Sequence, residues 1–314
     1  MRLKIMTIVA ALLFIVGCEE DLSPLKKDNG QVKINVSEPK LLIDSGKHPE
    51  WSPDGTQIAY TGWTEETRQD IFITSKDGST VQQITFEASI DMHPFWAPDG
   101  RSLGFSSNRI DEQEYYIFTI SIDDKEIKHI SPDTVTVQAG DWSSDGHNIV
   151  YDADFSSTNS EDDFLGLTNL STNKTEYILV DRTYEGWPKF SPDGSKVVFE
   201  SIDNISNVYN IWTVNTDGSN LTQITTEGGE YPTWSPDGEW ILYSNMESDN
   251  YDLFIIKSDG SQKAVKVLDT KDANEVRASW SPDGKSIIYD TMLGTEKVRP
   301  QNSGTYIINI QISK

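Results

Sequence analysis

A five-residue phrase, an aromatic residue followed by Ser/Ala-Pro/Ser-Asp-Gly, occurs six times in this chain at a nearly constant interval. Successive copies are 45, 46, 48, 44 and 46 residues apart. A repeat of this period, with short alternating strands inside it, is typical of a β-propeller with one four-stranded blade per repeat. The sequence therefore predicts an all-β fold, a six-bladed propeller of antiparallel blades. The aromatic residues of the six copies are Trp51, Trp96, Trp142, Phe190, Trp234 and Trp280.

The repeated phrase has the composition of a tight turn. In its first copy Pro53 presets φ at the second turn position, Asp54 suits the third, and Gly55 supplies a positive φ at the exit. The preceding Trp51 ends a strand and is placed to pack between neighbouring blades. A ring of metal-binding Asp residues is the functional alternative, but turn chemistry accounts for each Asp, so we expect no metal ion.

The two ends of the chain indicate how the ring closes. The sixth repeat contains strand-like segments at 278–280, 286–290 and 305–312, and no fourth segment follows them. Residues 39–44, which precede the first repeat, resemble the outer strands of other blades. We predict that they pair with the last blade and supply its outer strand, which removes an exposed sheet edge. The propeller is expected to span residues 37–314.

The N-terminus resembles a bacterial lipoprotein signal. A basic start is followed by an apolar run at 5–16, too short to remain as a membrane span. The run ends in Gly17-Cys18, similar to a lipobox, and Cys18 is the single cysteine of the chain. The resemblance implies a signal peptide at 1–17 and lipidation of Cys18. An ordinary secretory signal with an incidental cysteine is the alternative.

Residues 18–36 are polar and predict a flexible tether. Its start, Glu19-Glu20-Asp21, resembles the export signal of Bacteroidetes-type surface lipoproteins, and a solvated linker of a periplasmic protein is the alternative. We expect a protein that is lipid-anchored in the outer membrane, on the periplasmic or the cell-surface side.

The charge of the chain restricts its partners. There are 50 acidic and 26 basic residues, which gives a net charge of −24. A chain with this much negative charge repels nucleic acid and anionic membrane surfaces. We therefore expect no nucleic-acid partner, and we expect contact with the membrane through the lipid alone. We also expect a monomer without a cofactor.

The sequence does not provide the catalytic residues expected of two enzyme classes that use propeller domains. A hydrolase of the prolyl oligopeptidase type needs a Gly-x-Ser-x-Gly motif, which is absent. A metal-dependent lyase on a propeller needs several converging histidines, and the chain has four, His48, His93, His129 and His147. The sequence favours a non-catalytic protein and leaves catalysis open.

The candidate binding site lies where the innermost strands begin beside the central channel. We expect the six residues that lie three positions before the anchor aromatics to surround the channel mouth together. The residues two positions before these six are expected to flank the mouth. Two imidazoles, two large aromatic side chains, an Arg and three carboxylates would make a binding surface there. The alternative is that the two histidines have a structural role, with their conformation in the turn set by the prolines that follow them. The predicted ligand-binding residues are His48, His93, Trp187, Tyr231, Arg277, Asp91, Glu185 and Glu275.

The loop at 152–163 of the third repeat is rich in acidic residues. Oxygen ligands of this kind suit a calcium ion, but their spacing matches no EF-hand, and we expect a solvated acidic loop. Its carboxylates are Asp152, Asp154, Glu161, Asp162 and Asp163.

The repeated phrase, its period and the Asp-Ile-Phe/Trp pattern of the third strand resemble the TolB-type, WD-repeat-like propeller of bacterial envelope proteins. The resemblance covers residues 38–314 and implies a propeller without the α/β domain that precedes it in TolB. Because the same repeat occurs in polysaccharide-degrading enzymes, two functions stay open. One is a scaffold that binds an envelope protein or peptide. The other is a carbohydrate-binding or carbohydrate-degrading protein of a glycan-uptake system, in which Trp187 and Tyr231 would stack on sugars.

Overall fold

A computed structural model describes residues 32–64, 69–154, 163–182, 184–202, 208–247, 250–268, 270, 273–292 and 304–313. All regular secondary structure in these ranges is β-strand, arranged in six antiparallel sheets. Across the same ranges, no helical segment has the length and apolar character needed to cross a lipid bilayer. The innermost strands of neighbouring sheets contact one another around a closed ring. The predicted six-bladed propeller is confirmed.

Blades one to five each contain four strands, named a to d from the channel outwards. Blade one contains β3 (Lys47–Trp51), β4 (Gln57–Gly62), β5 (Asp70–Ser75) and β6 (Val81–Gln83). Blade two contains β7 (Asp91–Trp96), β8 (Ser102–Asp111), β9 (Glu114–Ser121) and β10 (Ile127–His129). Blade three contains β11 (Thr136–Trp142), β12 (Asn148–Asp154), β13 (Asp163–Asn169) and β14 (Lys174–Arg182). Blade four contains β15 (Glu185–Phe190), β16 (Lys196–Ile202), β17 (Tyr209–Asn215) and β18 (Thr222–Gln223). Blade five contains β19 (Glu230–Trp234), β20 (Trp240–Glu247), β21 (Asn250–Lys257) and β22 (Val265–Leu268).

Blade six combines strands from the two ends of the described chain. Its strands a to c are β23 (Asn274–Trp280), β24 (Ser286–Met292) and β25 (Gly304–Ser313). The N-terminal strand β2 (Lys40–Asp44) pairs antiparallel with the first half of β25, as predicted for the outer strand. Strand β1 (Lys33–Val36) pairs with the second half of β25. Residues 33–36 were expected in the tether, but Ile34 packs against the core between blades five and six, which holds them in the blade.

Two aromatic anchors of the repeated phrase form hydrogen bonds between neighbouring blades. Trp96 of blade two donates its indole N–H to the backbone oxygen of Glu50 in blade one at 3.1 Å. Trp234 of blade five makes the same contact, also at 3.1 Å, with the backbone oxygen of Lys189 in blade four. Since a buried indole N–H needs an acceptor, these bonds fix the spacing of adjacent blades.

The Asp of the repeated phrase stabilises its own turn, as the sequence predicts. In blade five, Ser235 Oγ donates to Asp237 Oδ1 at 2.6 Å, and the backbone N–H of Glu239 donates to the same oxygen at 3.0 Å. Gly238 follows with a φ of 70°. In the other five copies the Asp also accepts the backbone N–H two residues on. Within the described ranges, no group of three or more His, Cys, Asp or Glu side chains is arranged to hold a metal ion.

Removal of this turn carboxylate is expected to have a modest effect on stability. Asp237→Ala should lower the free energy of unfolding by about 1–2 kcal/mol, because two hydrogen bonds to a charged acceptor are lost. Urea denaturation measures the change. Glu176→Ala, at an exposed position of β14, is the matched control, and an equally small loss for both variants would contradict the turn assignment.

Candidate functional site

Six residues at equivalent positions of strand a surround the channel at one face of the disc. Together with their neighbours they line a central cavity of about 40 Å³. A buried water needs roughly 10–15 Å³ on this measure, so the cavity has room for about three water molecules. We call these six residues the central ring. They are His48, His93, Ala139, Trp187, Tyr231 and Arg277.

The backbone at the central ring is a β-bulge in every blade. The register between strands a and b shifts at the ring residue in all six sheets. The five ring residues other than Ala139 have φ between 50° and 55°. This left-handed region is sparsely populated by residues other than glycine, so other contacts must stabilise it. A bulge of this kind redirects a side chain, here into the channel.

The side chains of the central ring contact one another across the channel. The ring centroids of His48 and His93 are 4.1 Å apart, and that of Trp187 lies 4.8 Å from His93 and 4.9 Å from Tyr231. Trp187 also stacks on His48 of the opposite blade at 5.9 Å. The Arg277 guanidinium lies 5.7 Å from the centre of the Tyr231 ring. The mouth is therefore filled by the protein's own side chains.

Buried polar side chains of strand b hold the ring backbone in place. The N–H of His48 donates to Asp290 at 2.9 Å, and the N–H of Tyr231 donates to Glu200 at 2.6 Å. In both cases the acceptor belongs to the preceding blade. We call these acceptors, which directly follow the last aromatic residue of strand b, the clamp residues. The clamp residues that accept the backbone N–H of a ring residue are Thr61, Asp152, Glu200 and Asp290.

The clamp residues were not predicted as a set from the sequence. Asp152 was assigned to the acidic loop of blade three, but it lies in β12 and accepts the N–H groups of Gln138 and Ala139 at 2.8 and 2.7 Å. The signal was present in the sequence, since a polar residue follows the aromatic of strand b in each blade. These six residues are Thr61, Ser106, Asp152, Glu200, Ser244 and Asp290.

Burial controls the charges around the mouth. It raises the pKa of Asp152 to about 6 and that of Glu200 well above its usual value. Burial also raises the pKa of Asp290, an effect that Arg277 opposes because its Nε donates to both carboxylate oxygens at 3.0 Å. For His93, burial lowers the pKa to about 4, and His48 is lowered well below its usual value for the same reason. Both imidazoles are therefore neutral at neutral pH.

A charge cluster lies one step deeper in the channel, two residues after the ring positions. Lys189 Nζ lies 3.4 Å from Glu50 Oε2 and 3.7 Å from Asp141 Oδ1. Burial raises the pKa of both carboxyl groups, whereas Lys189, despite its burial, has a raised pKa because of the two carboxylates. This cluster links blades one, three and four beneath the central ring.

The three predicted flanking carboxylates do not line the central cavity. Asp91 is fully buried and accepts two hydrogen bonds from Arg109 at 3.0 and 3.1 Å. Glu275 is also buried and accepts a hydrogen bond from Thr270. Glu185 lines a separate cleft of about 230 Å³ between blades three and four. The bulge explains the difference, because it breaks the alternation that would place these residues on the same side as the ring residues.

Several predicted features lie outside the described residues. These are Cys18, the acidic start of the tether, and Glu161 and Asp162 of the acidic loop. Within the described part of that loop, Asp154 and Asp163 face each other as paired residues of β12 and β13.

The closed ring of six antiparallel sheets, with a bulged residue of each innermost strand at the channel, defines a six-bladed β-propeller. Overlapping segments of the chain, 42–231 and 112–305, match the family model of the TolB beta propeller domain. The chain belongs to this family.

Solved structures and a curated relative resemble the chain at low identity. TolB from Acinetobacter baumannii is 19% identical with a TM-score of 0.65, and the match covers 82% of this chain and 64% of that one. An oligogalacturonate lyase from Vibrio parahaemolyticus is 15% identical with a TM-score of 0.60, over 89% and 98% of the two chains. An uncharacterized protein of Agrobacterium fabrum is 27% identical over 93 residues, which are 29% of this chain and 31% of the relative. The chain therefore matches less than two thirds of the TolB structure and of the curated relative, and the structural likeness shows the fold alone.

Proposed function

We propose that this protein is a lipid-anchored component of the bacterial envelope that binds another protein or a peptide at the face of the central ring, without catalysis. The contrast between its two faces carries the proposal. The turn face repeats one phrase in every blade, whereas the ring face presents His, Trp, Tyr and Arg side chains in an irregular order. Trp, Tyr and Arg are the residue types that dominate protein–protein binding energies.

The size of the central cavity supports a macromolecular partner. Pockets for small molecules measure roughly 300–1,000 Å³. The central cavity measures about 40 Å³ and is filled by the side chains of its own ring. A partner that covers the whole face can use these side chains as a contact surface without entering the channel.

The central-ring site is tested by capture followed by affinity measurement. Tyr231 is replaced by a photo-cross-linking phenylalanine derivative, and the envelope protein captured in cells is identified and purified. Trp187→Ala is then expected to weaken binding of that protein by about 2 kcal/mol or more, the scale of an aromatic hot spot. Asp237→Ala on the opposite face is the control, with unchanged affinity in titration calorimetry. If the affinity does not change in Trp187→Ala but falls when loop residues are substituted, the binding site lies in the loops and not at the central ring.

Arg277 is a poor probe of binding because it has a structural role. Its side chain is 11% exposed and forms an ion pair with the fully buried Asp290. Arg277→Ala would leave this carboxylate buried without its cation, which destabilises a fold strongly. Trp187→Ala is therefore the substitution that tests binding at the central ring.

The lipid anchor is tested at Cys18. Cys18→Ser should move the protein from the membrane fraction to the soluble fraction, since a lipidated cysteine is the single proposed anchor. Fractionation and immunoblotting measure the result, and unchanged membrane association would refute the anchor. Replacement of Glu19, Glu20 and Asp21 by Ala should, in addition, reduce protease accessibility in intact cells if the protein is surface-exposed.

A carbohydrate is the second candidate ligand, because aromatic side chains can stack on sugars. Trp187 already contacts His48, His93 and Tyr231, so a sugar would have to displace these neighbours. This arrangement favours the protein partner. Glycan-array binding that is lost in Trp187→Ala would reverse the order of the two candidates.

A further inference from the structure

Exposed apolar side chains occur at the rim of the ring face. Trp63 is 45% exposed, Phe86 63% and Ile110 55%. Trp63 follows strand b of blade one, Phe86 lies between blades one and two, and Ile110 lies in the b–c hairpin of blade two. All three therefore lie at the end of the blades where the central ring lies. We call these three residues the rim patch.

Hydrogen bonds connect the loops that carry Phe86 and Ile110. The backbone N–H of Ile90, in the loop after Phe86, donates to Asn108 Oδ1 at 2.7 Å. Arg109, adjacent to Ile110, lies 3.7 Å from the carboxylate of Glu87, adjacent to Phe86. The segments that carry the two apolar residues are therefore joined to each other at the same end of blades one and two.

The end of strand b that precedes Trp63 is linked, through the start of strand c, to the same end of blade two. Trp63 follows Gly62, the last residue of β4, which pairs with Asp70 at the start of β5. The preceding residue, Gln69, forms a parallel bridge with Ile90 and accepts the backbone N–H of Asp91 at 2.9 Å. The rim patch is thus held by backbone contacts between blades one and two.

The surroundings of the rim patch are acidic. The side chain of Glu87 is 63% exposed, and Asp111 and Glu112 are exposed at the tip of the hairpin. Arg109 is 10% exposed and is paired with Asp91 and Glu87, so its charge is neutralised within the protein. A partner at this surface meets apolar side chains bordered by carboxylates.

We propose that the rim patch docks a basic segment of a partner protein that carries apolar side chains between its Lys or Arg residues. Charge complementarity selects this occupant. A second copy of this chain, at a net charge of −24, and an anionic lipid surface would both be repelled. A neutral apolar partner would bury the bordering carboxylates without compensation. The inference rests on the proposed function and specifies the chemistry of the partner.

The test uses a defined probe and matched variants. The probe is a fluorescein-labelled peptide of alternating Lys and Leu, compared with a Glu/Leu peptide and a Lys/Ser peptide by fluorescence anisotropy. The Lys/Leu peptide should bind best, and its affinity should fall with added salt. The double variant Trp63→Ser with Phe86→Ser should weaken this binding about tenfold or more. The double variant Glu87→Gln with Glu112→Gln should weaken it about fivefold.

Two control variants distinguish binding at the rim patch from general attraction of a basic peptide to an acidic protein. One removes the same number of charges as the rim variant, and the other removes the same number of exposed apolar side chains. Asp123→Asn with Glu126→Gln removes two exposed carboxylates from the c–d turn of blade two, at the opposite face. Val81→Ser with Leu221→Ser removes two exposed apolar residues from segments outside the ring face. Both controls should leave affinity unchanged. Equal losses in the controls and the rim variants, or no preference for the Lys/Leu peptide, would overturn the inference.

Further outcomes separate this inference from the proposed function. If the cross-linker at Tyr231 captures an envelope protein whose affinity does not depend on the rim patch, the function stands and the rim inference fails. If Lys/Leu binding depends on the rim patch, the inference is supported even when the Tyr231 cross-linker captures nothing and the central-ring site fails. Co-sedimentation with phosphatidylglycerol vesicles that depends on Trp63 and Phe86 would assign the surface to lipid and overturn the proposal.

Discussion

A chain that lacks residues 33–44 is expected to melt at least about 10 °C below the complete chain, or to be insoluble. The deletion removes β1 and β2, the two strands that pair with β25. It also removes Ile43, which is 8% exposed in the core of blade one and blade six, and Ile34, which packs between blades five and six. Burial of a large apolar side chain contributes about 1.5–3 kcal/mol, so the total loss is about 5 kcal/mol, and each kcal/mol lowers Tm by roughly 2 °C in a chain of this size.

The control for this deletion is a chain that lacks residues 19–31. If that segment acts as a tether, its removal should leave Tm unchanged, because a flexible tether adds nothing to the packing of the blades. Calorimetry of the three chains measures the effect. Equal melting temperatures for the complete chain and the chain without 33–44 would show that the ring does not depend on closure by the N-terminal strands.

Asp290→Ala is expected to lower the free energy of unfolding by about 3–5 kcal/mol, because it leaves the buried Arg277 without its carboxylate partner. It also removes the acceptor of the His48 N–H, one of the contacts that hold the left-handed backbone of the central ring. Asp290→Asn should be less harmful, since its amide oxygen can still accept a hydrogen bond.

Urea denaturation of these two variants, with Glu176→Ala as the surface control, measures how much the clamp residue Asp290 contributes to the free energy of unfolding. The expected order of stability is the unmodified chain and Glu176→Ala together, then Asp290→Asn, then Asp290→Ala. A loss for Asp290→Ala below about 0.5 kcal/mol, the range of ordinary surface substitutions, would show that the clamp is not a significant contributor.

The parts of the fold that follow from local sequence were predictable. The period fixed six blades because each Ser-Pro-Asp-Gly turn is specified by its own residues, such as Ser235 and Asp237. The positions of the central ring followed from counting back three residues from each anchor, since the bulge of strand a includes the residue at that distance before the anchor in every blade. Closure by residues 39–44 followed from the missing outer strand of blade six.

The details of the site depend on contacts between blades, which a linear pattern does not show. Alternation along strand a suggested that Asp91 faces the channel with His93, but the bulge between Met92 and Phe95 changes the direction of the chain. Strand β1 was missed because three of its four residues are exposed or polar, and only its pairing with β25 gives it a regular structure. Asp290 accepts the N–H of His48, 242 residues away in the sequence, and this contact exists only because the ring closes blade six onto blade one.

The bulge of strand a has a consequence for how such a protein can acquire new specificities. The unusual conformation is imposed on His48, His93, Trp187, Tyr231 and Arg277 alike, although their side chains differ in size and charge. The main chain at these sites therefore accepts side chains as different as an imidazole, an indole, a phenol and a guanidinium. Evolution, or a designed library, could exchange the chemistry at the centre one blade at a time while the surrounding architecture stays unchanged.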